Sequence, residues 1–195
     1  MKIAEGIATV ANFLSSEECA QFIEMSEAQG FEEATVSIPG NPVMMKRVRN
    51  NDRVNLDSPE LAESLWPRIA PHVAEAYPFQ RAKALDSRFR FYRYDLGQRF
   101  KRHVDGSVEV GELTSKVTFM VYLNDDCQGG ETIFREKDAA VGGEYEYRIK
   151  PESGMALLFE HRLWHEGAEV IEGRKYVMRS DILYDAKPSN CSMLM

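Results

Sequence analysis

An α+β fold is what this sequence predicts, with a double-sheet jelly roll (a double-stranded β-helix) as its core and N-terminal helices packed on one sheet. Three observations lead there. Helical signals occur only ahead of Arg90. Beyond it, short segments of alternating apolar and polar residues follow one another at regular spacing. Those segments are separated by turn clusters such as Asn124-Asp125-Asp126 and Gly142-Gly143. At 195 residues with 44% hydrophobic content, the chain reads as one domain over 1–195 with room for a sizeable core.

The elements follow in order. Residues 12–30 open with Ser15 and Glu18 in capping-box spacing, place Cys19, Phe22 and Ile23 on one helical stripe, and stop at Gly30. A second helix is predicted from Ser58-Pro59-Glu60 through Leu61, Leu65 and Ile69, with Trp66 in the core. Pro67 and Pro71 are expected to kink or divide it. Between the helices, residues 41–55 gather Lys46, Arg47, Arg49 and Arg53, which reads either as a solvated loop or as a lid facing a substrate. Residues 114–123 set Val117, Phe119, Val121 and Leu123 on one strand face and Thr118, Met120 and Tyr122 on the other. Further strands are predicted at 144–149 and 155–159.

Composition narrows the function. A net charge of −7 argues against nucleic acid or an anionic membrane as the main partner. The first residues lack the cationic and apolar regions of a signal peptide, and no apolar stretch reaches membrane-span length, so a soluble cytoplasmic protein is expected. Cys19, Cys127 and Cys191 are too scattered for a disulfide framework or a zinc site and read as reduced thiols.

The chemistry is concentrated around residues 89–106. Two short strands broken at Asp95-Leu96-Gly97 deliver His103 and Asp105 two positions apart, on one face of an extended segment. A solvated strand-edge pair has the same spacing. An imidazole and a carboxylate projected together are also two thirds of a 2-His-1-carboxylate triad, which holds Fe(II) and leaves positions open. The third ligand must come from a distant histidine. His72 sits in a helical segment, leaving His161 and His165, and His165 heads the segment that turns through Gly167 and Gly173 into another strand. His103, Asp105 and His165 are the expected set, with His161 in a structural role.

Five stretches, RFYRYDLGQRFKRHVDG, KVTFMVYLND, QGGETIF, LLFEHRLWHEG and EGRKYVMRSDILY, resemble in order and spacing the catalytic core of the prolyl 4-hydroxylase-type Fe(II)/2-oxoglutarate dioxygenases. The NFLSSEEC helix is similar to theirs as well. The resemblance implies Fe(II) on His103, Asp105 and His165, with 2-oxoglutarate and O2 as co-substrates and ascorbate as an optional reductant. It implies Lys175, ten residues after His165, as the partner of the distal carboxylate of 2-oxoglutarate, helped by the hydroxyls of Tyr122 and Thr132 and by Tyr94 on the pocket wall. Arg174 competes, because relatives use an arginine one position earlier. Strand parity puts Lys175 with Val177, Arg179 and Asp181, and Arg174 with Tyr176, Met178, Ile182 and Tyr184, which favours Lys175. Phe100 stands where some members carry a tyrosine, so one hydrogen bond to the co-substrate is missing or supplied elsewhere. Gly129-Gly130 are expected to allow a close backbone approach.

The implied reaction hydroxylates an unactivated C–H as 2-oxoglutarate is decarboxylated to succinate and CO2, on a peptide, protein or small-molecule substrate. Candidates for reading that substrate are Arg47, Arg49, Arg53, Arg102, Trp164, Arg179 and Asp181, with residues 106–114 as a lid. Members acting on peptidyl proline often carry an aromatic residue at the position of Asp181. This departure raises two alternatives, a polar small molecule and a non-prolyl protein residue. A jelly roll that binds metal and ligand without turnover is a third reading, from a different class.

Overall fold

The computed structural model describes residues 1–34, 36–38, 41–43, 49–78, 81–137 and 144–186, with the backbone alone at 36–38, 41–43, 136–137 and 144. The chain opens with β1 (Lys2–Ala4), β2 (Ile7–Val10) and α1 (Ser16–Gln29). It continues through β3 (Glu32–Glu33), β4 (Val36–Ile38), β5 (Asn41–Val43), β6 (Asp52–Asp57) and α2 (Pro59–Ala76). The remainder is strand: β7 (Ala82–Leu85), β8 (Arg88–Tyr94), β9 (Phe100–His103), β10 (Glu109–Val110), β11 (Leu113–Tyr122), β12 (Gln128–Gly129) and β13 (Thr132–Lys137). Then come β14 (Glu144–Ile149), β15 (Ala156–Glu160), β16 (His165–Gly167), β17 (Val170–Glu172) and β18 (Lys175–Asp185).

The large sheet runs β1-β2-β15-β11-β18-β8-β6-β3, with β10 and β7 attached to β11 and β18; the small sheet runs β14-β13-β16-β9. Alternation along β11 explains the layering. Val117, Phe119 and Val121 join Cys19, Leu65, Ile69 and Val73 of the two helices in one core, whereas Met120 and Tyr122 join Phe134 and Ile149 of the small sheet in the other. Helices therefore cover the outer face of the large sheet, and the small sheet covers its inner face. That is a jelly-roll core with helices packed on one sheet.

α1 begins at Ser15 with both halves of the capping box formed by Glu18 and ends at Gly30. α2 starts as expected, with Ser58 accepting from the Leu61 N–H and proline at the first position, but it runs undivided through Pro67 and Pro71. The two prolines are four residues apart on the exposed side, where the carbonyls they leave without donors meet water, while Leu65, Ile69 and Val73 bury the opposite stripe. A second departure lies at the start, where β1 and β2 precede the first helix and extend the large sheet beside β15. Two β-strand segments too short to show a period carry no sequence signal of their own. The turn at Gly142-Gly143 lies outside the described residues. Among the described residues, no helix is long and apolar enough to cross a membrane.

Candidate active site

The small sheet brings the two histidines together. β16 pairs with β9 so that His165 and His103 are direct cross-strand partners, and their rings lie 4.3 Å apart centre to centre. Asp105 lies two residues past His103, just beyond the end of β9. Each of the three residues points one ligand atom at a common space, all within 4.8 Å of one another. The Asp105 oxygens Oδ1 and Oδ2 lie 3.7 Å from His103 Nε2 and 3.7 Å from His165 Nε2.

Hydrogen bonds fix the tautomers. His103 Nδ1 faces the Lys101 carbonyl at 2.8 Å and His165 Nδ1 faces the Leu163 carbonyl at 2.9 Å. A carbonyl only accepts, so both Nδ1 atoms carry the proton and both Nε2 lone pairs face the shared space. Burial keeps the rings neutral. It pushes His103 down to about 3, with the neighbouring His165 adding to the effect, and lowers His165 as well. Burial alone would raise the Asp105 pKa, but Arg179, then the two histidines and the Thr118 hydroxyl, hold it well below the usual carboxylate range. Arg179 Nη1 lies 2.9 Å from Oδ1, and the Thr118 hydroxyl donates to Oδ2 at 2.6 Å.

Two neutral imidazoles line one cavity, with the ionised carboxylate of Asp105 beside them. The same cavity is lined by Tyr94, Thr132 and Lys175. Lys175 is 3% exposed; its Nζ donates to the Gly130 carbonyl at 2.5 Å and lies over the rings of Tyr94 and Tyr122 at 5.1 and 5.3 Å. Burial lowers its pKa to about 8. Beside it the Tyr122 hydroxyl donates to Thr132 Oγ1 at 2.7 Å, so the cation and two hydroxyls form one buried polar cluster. Gly130 makes this possible. Its φ is +70°, and a Cβ there would crowd the Lys175 side chain and Val170. Arg174 points the other way, to Asp95 and Glu27 on the surface.

A larger hollow, lined by Ser107, Lys116, Glu160, His161 and Arg162, lies against Asp105 but includes neither histidine of the triad. The smaller cavity, with its convergent polar groups, is the chemically equipped one.

The other sequence candidates separate. Arg179 lines the cavity. Arg49 is buried against Tyr92 and Phe100, two of its walls, and Arg53 lies opposite Tyr92 in the β6–β8 register. Asp181 does not read a substrate directly. It is wholly buried, with Arg90 at 2.7 Å from Oδ2 and His161 and Arg179 at 3.2 and 3.3 Å from Oδ1. Its parity on β18 put it on the inner face, but parity does not reveal partners that fill the space in front of a side chain. Trp164 is half exposed, stacked by Arg102 at 5.4 Å, and neither lines the cavity. Residues 106–114 contain a β10–β11 hairpin, and Arg47 lies outside the described residues. Thr118 is the contributor that sequence reasoning missed, and for Phe100, noted there only as a replaced tyrosine, it missed the contact with the triad. Thr118 was on the Met120–Tyr122 face, where a lone hydroxyl between apolar neighbours is a signal for a buried partner. Phe100 stacks on His103 with centroids 3.6 Å apart.

A family model described as the 2OG-Fe(II) oxygenase superfamily matches residues 89–180, which include the triad, Lys175 and the strands that carry them. Over 186 residues the chain is 27% identical to prolyl 4-hydroxylase 13 of Arabidopsis thaliana, covering 85% of this chain and 66% of that protein. Over 178 residues it is 25% identical to a PKHD-type hydroxylase of Paracoccus denitrificans, covering 86% and 74%. Among solved structures, a prolyl hydroxylase from Trichoplax adhaerens, in complex with a hypoxia-inducible factor oxygen degradation domain peptide fragment, superposes with a TM-score of 0.71. That pair shares 19% identity over 93% of this chain and 84% of the other. The viral collagen prolyl hydroxylase of Paramecium bursaria Chlorella virus-1, in its 2-oxoglutarate complex, gives a TM-score of 0.60 at 20% identity, covering 93% and 97%. The structural likenesses speak for the fold. The chain spans 64–66% of the length of prolyl 4-hydroxylase 13 and of the probable prolyl 4-hydroxylases 9 and 3 of Arabidopsis thaliana. The chain is thus similar to the 2OG-Fe(II) oxygenase superfamily over residues 89–180, and to proteins of prolyl 4-hydroxylase type over most of its length.

Fe(II) and 2-oxoglutarate are the metal and co-substrate of that family. The residues present fit both. Neutral imidazoles with one carboxylate suit Fe(II) and leave open positions, and a buried ammonium with only a carbonyl for a partner suits a carboxylate.

Proposed function

We propose that this protein is an Fe(II)- and 2-oxoglutarate-dependent hydroxylase acting on an unactivated C–H of its substrate. The observation that carries the reading is one cavity with His103 and His165 on its wall beside Asp105 and a buried Lys175 among hydroxyls on the same wall set.

In this reading His103, Asp105 and His165 would hold the metal. With both Nδ1 protons engaged by backbone carbonyls, the imidazoles are oriented before any ligand arrives. Lys175, Thr132, Tyr122 and Tyr94 would receive the distal carboxylate of 2-oxoglutarate. Charge pairing there gives the Lys175 ammonium an ionised acceptor where it now has the neutral Gly130 carbonyl. Bound Fe(II) with 2-oxoglutarate supplies the reaction of O2 in which the co-substrate becomes succinate and CO2 and a substrate C–H becomes C–OH. Arg179 and Thr118 keep Asp105 ionised and fixed. Phe100, Tyr92, Met120, Phe159 and Val177 wall the cavity with largely apolar surface that excludes water, which protects the chemistry from side reactions. No side chain is needed as a general base.

Three of the four relatives named above are prolyl hydroxylases, which supports a prolyl-type substrate in a peptide. The inner wall around Arg90, Arg179 and Asp181 is charged, which supports a polar or charged substrate instead. The test is anaerobic loading with Fe(II) and 2-oxoglutarate, an O2 pulse, and measurement of succinate with and without a panel of peptides and amino acids. Succinate formation that depends on His103, Asp105 and His165 is the expected result. Tight metal binding without any succinate would favour a binding module.

A further inference from the structure

Several arginines gather around the inner wall of the site. In the large sheet Arg53 lies opposite Tyr92, and Arg90 lies opposite Arg179, so three arginines share one face within neighbouring pairs of the lattice. Arg49 joins them from the segment ahead of β6. Its guanidinium carbon lies 4.4 Å from the centre of the Tyr92 ring and 4.5 Å from that of Phe100. Two buried carboxylates lie among Arg90 and Arg179. Asp181 is held by Arg90 and Arg179, and Asp105 by Arg179. Neither pairs with Arg49.

Arg49 is 5% exposed, its Nε donates to Asn51 Oδ1 at 2.7 Å, and its Nη2 has no partner among the described residues. A guanidinium does not shed its proton to escape burial, as a lysine can, so its charge stays buried against Tyr92 and Phe100, two residues of the cavity wall. Aromatic faces lower the cost of keeping it there but leave the orphan donor unsatisfied. Phe100 meanwhile stacks on His103, which puts Arg49 one aromatic ring away from the triad. The surrounding field is visible in Tyr92. Burial would raise its pKa, yet Arg49, Arg179 and Arg90 together pull it to about 8. A buried, fixed cation with an open donor, one ring away from the reactive centre, matches a group that anchors a substrate by its own charge.

We propose that the substrate is an oxyanion, a carboxylate or a phosphate ester, whose charged group pairs with Arg49 while its reacting carbon lies over His103, Asp105 and His165. This rests on the hydroxylase reading and specifies the substrate class for it. Arg53 and Arg90 add to the field that draws the anion in, and the cavity's apolar residues contact the rest of the molecule.

The test titrates probes anaerobically, by calorimetry, into protein carrying Fe(II) and 2-oxoglutarate. The probes are the twenty amino acids as free acids and as carboxamides, O-phosphoserine, and amidated peptides containing Asp or Glu. At least one anionic probe is expected to bind about tenfold or more tighter than its neutral counterpart. Arg49→Gln should reduce that preference to within about threefold, and Arg49→Lys should restore part of it. Binding of 2-oxoglutarate should be unchanged in both variants, because Arg49 is absent from the Lys175 cluster. Which probe wins separates a free acid, a phosphate ester and an acidic side chain of a peptide. The proposal is overturned if no anionic probe binds, if the carboxamides bind equally well, or if Arg49→Gln keeps the preference. Failure of 2-oxoglutarate to bind the wild-type protein would instead overturn the hydroxylase reading itself.

Discussion

His103 and His165 are direct partners across two antiparallel strands, and their Nδ1 atoms are tied in the same way, each to the carbonyl two residues earlier in the chain. The pair is therefore built by backbone registration. Its Nε2 lone pairs face a third group, Asp105, whose charge is sustained by Arg179 and Thr118.

The metal site follows from that arrangement. His103→Ala and His165→Ala should each lower Fe(II) or Mn(II) affinity by at least about 100-fold, more than is usual for losing a partner one shell further out. His161→Ala should retain most metal binding, since its Nε2 is spent on Asp181. Anaerobic metal titration of the three variants checks this. A His161→Ala protein that no longer binds metal would contradict the assignment.

The contacts around Asp105 can be separated by substitution. Thr118→Val keeps volume but removes the 2.6 Å bond to Oδ2, and metal affinity should fall by about tenfold. Arg179→Met should act mainly on stability, because it removes the arginine paired with buried Asp105 and one of the partners of Asp181, at about 3–5 kcal/mol. For a chain of this length that is a fall in Tm of roughly 10 °C. Calorimetric unfolding of both variants beside wild type would show a small shift for the first and a large one for the second.

Lys175 and Arg174 are neighbours with opposite orientations. Lys175→Ala should raise the 2-oxoglutarate dissociation constant by roughly 30- to 1000-fold, since it leaves a carboxylate desolvated and unpaired at about 2–4 kcal/mol. Arg174→Ala, which loses only surface partners, should change it by well under tenfold. Anaerobic 2-oxoglutarate binding by the two variants, side by side, decides the matter.

The pH response of the ligand-free protein has a definite sign. Burial lowers the Lys175 pKa from 10.5 to about 8, so between those values the unfolded chain holds the proton and the folded one does not. The unfolded state then binds more protons, and this residue makes stability rise with pH across that window; below about 8 its burial is a standing penalty. Binding of a carboxylate requires the ammonium form. Above about pH 8 the proton must be taken up on binding, and affinity should fall by up to roughly tenfold per pH unit. Calorimetry at about pH 7 and pH 9, in buffers of different ionisation enthalpy, would detect the proton uptake. Affinity that rises from pH 7 to 9 would contradict the assignment of Lys175.

The sequence by itself determined which side chains share a face. Val117, Phe119 and Val121 against Met120 and Tyr122, and Lys175, Val177 and Arg179 against Tyr176 and Met178, follow from the two-residue period of an extended chain, and the two cores are filled accordingly. The capping box of Ser15 and Glu18 was legible for the same reason, since its partners are three residues apart. Only the tertiary structure decided what stands in front of each face. The opposition of His165 and His103, the closure of Arg90, His161 and Arg179 on Asp181, and the place of Arg49 between Tyr92 and Phe100 all depend on which strands meet and in which register. The undivided α2 belongs with them. A proline's local cost is fixed by the chain, but whether a helix continues through it depends on the stripe it buries and on water reaching the carbonyls left without donors.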